Sequence, residues 1–287
     1  MKIFIISISF VLSIFNLCFA QSINNPNIPS DGMTLYFDKV DNVVEFQMDA
    51  PWDFSSTFSN SNYSMTFLPI NLTSFQNEYP NASHVLSSEN GDFFLGYDNN
   101  GFYAHGRITS STSTNYSSEL LLTPFPFDAS LYHEDSITSS VTWNGFNAPF
   151  KDKVEISGIS SGTVTMPNGN SYENAVLVSA KRTSTTGPDP LFGQTMIVEE
   201  VSHQWWLDGY PYPVVEILNA YSNSSLVLSR SLFLMENTTS VSENINEHKR
   251  KLIKITDVLG RECILPQKGK INLFIFDNGD VEKKFIP

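Results

Sequence analysis

Cysteine is nearly absent from this chain of 287 residues, which contains only Cys18 and Cys263. Cys18 lies in an N-terminal stretch with the features of a cleaved signal peptide: Lys2 supplies a positive charge, 3–17 are mostly apolar, and cleavage is expected after Ala20. Cys263 is then left without an intrachain partner. A disulfide is therefore excluded as the source of stability, and a packed core must supply it, which about 200 residues can do.

Long apolar runs are also scarce. The N-terminal run is short for a membrane helix, and no later segment approaches the roughly 20 apolar residues that a bilayer requires. We therefore expect no transmembrane segment after signal cleavage. A lipoprotein signal, with lipid attached at Cys18, is the alternative interpretation of the N-terminus, although Phe15-Asn16-Leu17 is a poor approach to a lipidated cysteine.

Basic residues are few and unevenly placed. The chain has 17 Lys and Arg against 30 Asp and Glu, for a net charge of −13. Residues 249–287 hold nine basic and five acidic residues, whereas 21–248 hold seven basic and 25 acidic residues. We expect no nucleic acid or anionic lipid as a partner of the acidic part, because neutralising phosphates needs clustered Lys and Arg.

A sustained 3.6-residue apolar period is missing as well, which argues against amphipathic helices. Short segments rich in Phe, Tyr, Val, Ile and Thr alternate with Asn, Gly, Ser and Pro instead. This pattern predicts an all-β body in which about ten strands form a large twisted antiparallel sheet, bent into a sandwich or half-barrel. The predicted strands are Val43–Met48, Tyr63–Pro69, Asp92–Tyr97, Gly101–Ile108, Ile137–Trp143, Lys153–Ile156, Gly162–Met166, Ala175–Lys181, Gln194–Trp206, Val214–Ala220 and Leu226–Met235.

Composition divides the chain into five segments. They are a signal peptide at 1–20, a leader linker at 21–30, the all-β body at 31–235, a flexible polar linker at 236–248 and a basic tail at 249–287.

The tail is predicted to be a small three-stranded β unit. Its strands are Lys251–Asp257, Ile271–Phe276 and Val281–Ile286, with a hairpin turn at Asp277–Asp280. A unit of this size has too little core to be a catalytic domain. The charge difference and the polar linker indicate that the tail is separable from the body.

Three motifs in the tail carry a resemblance. They are the basic start Lys249-Arg250-Lys251, the run from Lys254 to Arg261, and Phe276 to Lys284. Together they resemble the C-terminal sorting domain of proteins exported by the type IX secretion system of Bacteroidetes. The resemblance implies a secreted or outer cell-surface protein with the type IX machinery as a partner. It assigns sorting roles to Lys254, Asp257, Leu259, Gly260, Arg261, Asp277 and Gly279.

Two positions depart from that sorting pattern. Cys263 is an unusual thiol just after the Leu-Gly-Arg segment, and Pro287 ends the last strand. We expect both departures to affect how efficiently the protein is sorted rather than which secretion system exports it.

The body carries a second resemblance, through motifs that occur in a fixed order. They are Ala50–Ser55, Tyr79–Ala82, Leu122–Phe127, Gly162–Gly169 with Tyr172–Val178, and Gln204–Trp206 with Gly209–Pro213. In this order they are similar to a group of uncharacterised secreted Bacteroidetes proteins. The resemblance spans most of residues 45–220 and implies no activity.

His133–Asp135 is the densest cluster of ionisable groups. It can supply metal ligands or an acid/base pair only if further ligands converge on it, and the other histidines follow no metal-site spacing. The alternative interpretation is a solvated loop. We assign no metal site and no cofactor.

A second candidate for chemistry is the predicted strand that contains Glu199, Glu200, Ser202 and His203. Neighbouring side chains on a strand point to opposite faces, so neither the two carboxylates nor the Ser/His pair can share a cleft. The Gly-x-Ser-x-Gly elbow of many serine hydrolases is also missing. We assign no catalytic residue.

Aromatic residues supply the binding hypothesis. Trp205, Trp206, Tyr210 and Tyr212 lie close together, and flat rings can stack on a glycan or line an apolar pocket. Trp205 and Trp206 are expected on opposite faces, and core packing is the alternative role for the pair. The sequence therefore favours a non-enzymatic binding or structural module that holds an apolar ligand or a glycan against its aromatic face. The competing hypothesis is a secreted hydrolase of polysaccharides or esters.

Overall fold

The computed structural model describes residues 21–24, 28–110, 112–143, 146–188, 193–235, 252–263, 265–277, 279 and 281–286. The predicted signal peptide and the linker at 236–248 lie outside these residues. Within them β-strands are the main secondary structure, and the one helical segment is a turn of 3-10 helix at Ile70–Leu72. No helix in this part of the chain has the length and apolar character that crossing a membrane needs.

The strands are numbered here in chain order. In the body they are β1 Ser22–Ile23, β2 Thr34–Val40, β3 Trp52–Asp53, β4 Ser61–Pro69, β5 His84–Ser88, β6 Gly91–Tyr97, β7 Gly101–Ile108, β8 Thr112–Pro124, β9 Phe127–Asp128, β10 Tyr132–Trp143, β11 Phe146–Thr165, β12 Ser171–Thr186, β13 Met196–Trp206, β14 Val215–Ser222 and β15 Ser225–Leu234. In the tail they are β16 Leu252–Asp257, β17 Glu262–Cys263, β18 Lys270–Phe276 and β19 Val281–Ile286.

Twelve of the described strands form a closed antiparallel barrel. The long strands pair in chain order from β2 to β15, with β3 and β9 left out of the series. The barrel closes where β15 pairs with β2, so that Ser231 lies opposite Val40 and Leu234 lies opposite Phe37. The predicted all-β class and large antiparallel sheet are confirmed, and the sheet curls into a full barrel rather than a sandwich or half-barrel.

The predicted hairpins at Asp98–Gly101 and Pro167–Asn170 are confirmed. They join β6 to β7 and β11 to β12. Three strands of the barrel were not predicted: β2, β5 and β8.

The predicted strand Val43–Met48 is wrong, because 41–51 form an irregular strap over the outside of the barrel. The wall strands beneath the strap, β12 to β14, already pair with neighbours on both sides. The apolar residues of the strap therefore pack onto the wall instead of extending the sheet. They cover an outer cluster that contains Trp52, Phe54, Leu177, Trp205, Val215 and Phe233.

Part of the predicted leader linker is fixed to the body. Ile23 in β1 pairs with Phe127 in β9 and is fully buried. It shares a cluster with Phe125, Phe127 and Trp206, so this segment covers one end of the barrel interior.

The tail forms its own four-stranded sheet. The three predicted strands are present, and Glu262–Cys263 adds a fourth. Phe274 is fully buried and belongs to an apolar cluster with Val85 and Phe94 from the barrel wall. The tail is thus a distinct sheet whose apolar face packs on the body.

A β-bulge in β7 changes which of its side chains face the interior. Ala104 belongs to the interior cluster, and simple alternation would point residues 106 and 108 inward too. The pairing of β7 with β6 shifts by one residue between Ala104 and Gly106. Arg107 faces the interior as a result, and Ile108 packs outside with the cluster beneath the tail.

Gly106→Ala is expected to destabilise the barrel by about 3 kcal/mol or more in urea denaturation. Gly106 has a φ of +156°, and a Cβ there would lie 2.3 Å from the Thr114 carbonyl oxygen and 2.5 Å from the Tyr79 ring.

Gly169→Ala is the matched control for this prediction. Gly169 has a φ of +85° with nothing within 4 Å of a Cβ, so its variant carries only backbone strain of about 1 to 2 kcal/mol. Equal losses in the two variants would contradict the requirement for space at the bulge.

Candidate functional site

The barrel encloses a cavity of about 520 Å³. Small-molecule sites in proteins measure about 300 to 1,000 Å³. Along β13 every second residue lines the cavity, as strand alternation requires. These residues are Val198, Glu200, Ser202, Gln204 and Trp206. The apolar part of the wall includes Met65, Leu86, Phe93, Leu95, Leu122, Val154 and Leu218.

The two ends of the cavity differ. At the covered end, the rings of Phe125 and Phe127 lie edge-on to Trp206, with centroid distances of 6.1 and 5.9 Å. At the other end, Asn90 and Val227 line the cavity beside the β5–β6 and β14–β15 turns. Val227 is 61% exposed, so the cavity reaches the surface at this end.

A buried carboxylate, Asp152, is held by three side chains in the interior. Its Oδ2 accepts hydrogen bonds from Arg182 Nη2 at 2.6 Å and from the Tyr116 hydroxyl at 2.7 Å. Ser184 Oγ donates to Oδ1 at 3.0 Å. Burial alone would raise the pKa of Asp152, but the attraction of Arg182 and these hydrogen bonds outweigh it and lower the pKa below its ordinary value. Asp152 is therefore ionised and neutralises Arg182.

Glu216 and Arg230 form a second buried ion pair. Arg230 Nη2 lies 3.0 Å from Glu216 Oε2, and the Tyr212 hydroxyl donates to Glu216 Oε1 at 3.2 Å. The Arg230 guanidinium also lies over the Tyr63 ring, 5.1 Å from its centroid. Burial, followed by the charge of Glu216, raises the pKa of Tyr212. This tyrosine is therefore a neutral hydrogen-bond donor in the cavity wall.

Three charged residues of the wall stand outside these two pairs, and one of them, Lys181, pairs with Glu199. Within the described residues, no carboxylate forms an ion pair with Arg107 and no cation forms one with Glu200. The Nε–H group of Arg107 is buried without a hydrogen-bond acceptor from this part of the chain, and so is that of Arg230. Both unsatisfied groups are donors.

The four aromatic residues of the binding hypothesis are divided between two places. Trp206 and Tyr212 line the cavity. Trp205 and Tyr210 belong to the outer cluster, where the Phe46 ring of the strap lies 5.0 Å from that of Trp205. The prediction that Trp205 and Trp206 face opposite sides of the sheet is confirmed, and both are almost fully buried.

The predicted separation of neighbours on β13 is also confirmed. Ser202 and Glu200 line the cavity. The centroid of the His203 ring lies 4.8 Å from that of the Phe46 ring in the strap. Glu199 Oε1 lies 2.7 Å from Lys181 Nζ. Neither the Ser/His pair nor the carboxylate pair shares a cleft.

The interpretation of His133–Asp135 as a solvated loop is wrong, because these residues belong to β10. His133 Nε2 donates to the Leu121 carbonyl at 3.2 Å, and Asp135 Oδ2 accepts from the Leu121 N–H at 2.8 Å. The two side chains thus bind β10 to β8 beyond the end of their ladder at Ser139. Nowhere in the described ranges do three His, Cys, Asp or Glu side chains gather as metal ligands.

The arginines of the cavity were missed in the sequence. Arg107, Arg182 and Arg230 are the three arginines of residues 21–248, and all of them line it. A usable signal existed: Glu216 and Arg230 interrupt apolar strands at inward positions, where a charge needs a buried partner.

Comparison of the chain with models of protein families, with curated proteins and with solved structures finds no match. The candidate site therefore rests on the geometry of the barrel interior. Its parts are the apolar wall, two internal ion pairs and the unpaired Arg107 and Glu200.

Arg230→Met is expected to destabilise the protein by about 3 to 5 kcal/mol in urea denaturation, because it leaves the buried Glu216 carboxylate without its cation. The double variant Arg230→Met, Glu216→Leu should recover much of this loss. Lys153→Ala is the surface control, since Lys153 pairs with the more exposed Glu134 at 3.1 Å, and should cost about 1 kcal/mol or less. A loss as small in Arg230→Met as in Lys153→Ala would contradict the buried pair.

Proposed function

We propose that this protein binds a small amphiphilic molecule inside its barrel without converting it chemically. The observation that carries the proposal is the cavity of about 520 Å³, in which an apolar wall surrounds a few polar and charged groups. This combination is typical of small-molecule sites. The covered end and the surface-reaching end give a ligand one direction of entry.

The competing hydrolase hypothesis finds less support. Ionisable groups do converge in the cavity, but Glu216 is committed to Arg230, and Asp152 to Arg182. Glycoside hydrolysis uses two carboxyl groups across a sugar, and Glu200 is the wall carboxylate that remains outside an ion pair. Ser202 Oγ accepts a hydrogen bond from Gln204 Nε2 at 3.0 Å and has no histidine on its face of the strand.

Export through a type IX secretion system, with delivery to the medium or the outer cell surface, is the second part of the proposal. The turn after β16 supports it. The Asp257 carboxylate accepts from the N–H groups of Leu259 and Arg261 at 2.9 and 3.0 Å. This turn presents Val258 and Leu259, which are 59% and 75% exposed. An apolar pair displayed on a hydrogen-bonded turn suits recognition by another protein.

Ala180→Phe is expected to weaken lumen binding by about tenfold or more, because Ala180 lines the cavity and the larger ring would occupy ligand space. The measurement is fluorescence titration of the mature chain, residues 21–287, with the neutral apolar probe N-phenylnaphthylamine.

Thr183→Phe is the matched control for lumen binding. Thr183 lies three residues further along the same strand and on the opposite face, so its variant should bind the probe as the unmodified chain does. Equal binding by the Ala180 and Thr183 variants would contradict a lumen site.

Leu259→Ser is expected to lower the surface and medium levels of the full chain several-fold in a Bacteroidetes host with a type IX system, with the protein retained in the periplasm. Fractionation and immunoblotting measure the distribution. Val281→Ser is the control, because Val281 is also an exposed apolar residue of the tail, at 55%, but lies away from the turn. Normal export of a chain that lacks 249–287 would contradict the sorting role altogether.

A further inference from the structure

The charge of the cavity wall contrasts with that of the surrounding body. Residues 21–248 hold seven basic and 25 acidic residues, yet all three of their arginines, Arg107, Arg182 and Arg230, line the cavity. Removing a guanidinium from water is costly unless acceptors inside the protein replace the water. An arginine without an acceptor from the protein therefore indicates the kind of group that a ligand would supply.

Two of the arginines have a carboxylate partner. Arg182 lies 2.6 Å from Asp152, and Arg230 lies 3.0 Å from Glu216. Arg107 forms no ion pair within the described residues, and its buried Nε–H group has no acceptor there. Buried donors are nearly always satisfied in folded proteins, by protein groups, ordered water or a ligand. The cavity is thus short of an acceptor beside Arg107.

Arg107 lies toward the surface-reaching end of the cavity. Its strand continues into the β7–β8 turn, where Thr109 and Thr112 line the same cavity. Phe102, near the other end of β7, shares the cluster of the covered end with Trp206. A molecule that reaches Arg107 from the surface therefore has apolar wall ahead of it.

We infer that the cavity takes an amphiphile with one anionic head group, bound by the Arg107 guanidinium, and with its apolar body directed toward Trp206. A guanidinium matches the oxygens of a carboxylate or a phosphate with two parallel hydrogen bonds. This inference rests on the proposed lumen binding and adds the charge of the ligand to it. The bulge at Gly106 is then the device that aims the anchoring side chain inward.

Glu200 is the feature that would favour a cation instead. It faces the cavity without an ion pair, but Arg182 lies directly opposite it on the neighbouring strand and attracts its carboxylate. The Nε–H groups of Arg107 and Arg230 are buried without a hydrogen-bond partner from the described residues, and both are donors. Because these unsatisfied groups of the cavity wall are donors, we favour an anionic ligand over a cationic one.

The test is displacement of N-phenylnaphthylamine from the mature chain by dodecanoate, dodecanol and dodecyltrimethylammonium, which share a chain length and differ in head charge. Dodecanoate should displace the probe at about tenfold lower concentration than dodecanol, as a charge-assisted hydrogen bond to a carboxylate predicts. Dodecyl phosphate in a parallel titration distinguishes a phosphate from a carboxylate head.

Variants assign the preference to a residue. Arg107→Gln should lower the affinity for dodecanoate to that for dodecanol in the same variant, and Arg107→Lys should keep part of the preference. Glu200→Gln should retain or strengthen the preference. The far-ultraviolet circular dichroism spectrum of each variant, together with a measurable probe titration, shows that it is folded with its cavity open.

Three results would overturn the inference while leaving lumen binding in place. They are equal displacement by dodecanoate and dodecanol, a preference that survives Arg107→Gln, and tighter binding of dodecyltrimethylammonium that Glu200→Gln removes. If neither the probe nor any of the dodecyl compounds binds, the proposed function itself is overturned, and the inference with it.

Discussion

Closure of the sheet is the constraint on which the rest of this structure depends. A barrel of about eight strands is just filled by its own side chains, whereas one of twelve strands encloses more space than they fill. The pairing of β15 with β2 completes the wall, and His133 and Asp135 join β10 to β8 where their ladder has ended. The cavity, its covered end and the strap outside it all follow from that closed wall.

A closed interior also changes the cost of charge. Asp152 and Glu216 would be strongly unfavourable alone, and each is offset by an arginine on a neighbouring strand. Buried pairs of this kind contribute little net stability but hold their side chains in defined positions, which suits a binding wall. Arg107 is outside these pairs: Asp152 attracts its charge, but its buried Nε–H group has no acceptor among the described residues. We propose that an anionic ligand supplies the missing acceptor.

Strand class and local facing could be predicted from the sequence, because alternation with period two is a property of every strand. Alternation predicted that Trp205 and Trp206 lie on opposite faces. It could not predict which of them lies inside, because the strap buries the outer one as well. The strap itself was mistaken for a strand, as apolar residues that pack on a wall resemble those that pair within one. Arg107 could not be placed, because the bulge at Gly106 reverses the alternation.

The tail shows the same division between local and long-range information. Its three longer strands and its turns were predictable, because Asp257, Gly260 and Gly279 mark turns by their own backbone chemistry. Its packing against Val85 and Phe94 was not, since a separate charge and a polar linker suggested a free module.

The central claim, an anion held by Arg107 inside the barrel, is tested most directly by the arginine Nε–H signals in a proton–nitrogen correlation spectrum of the mature chain. The Arg107 signal is identified by its loss in Arg107→Lys. On addition of dodecanoate, the account predicts that this signal shifts and exchanges more slowly with solvent, while that of Arg261 in the tail turn does not move. A spectrum in which the Arg107 signal stays unchanged at saturating dodecanoate would contradict it.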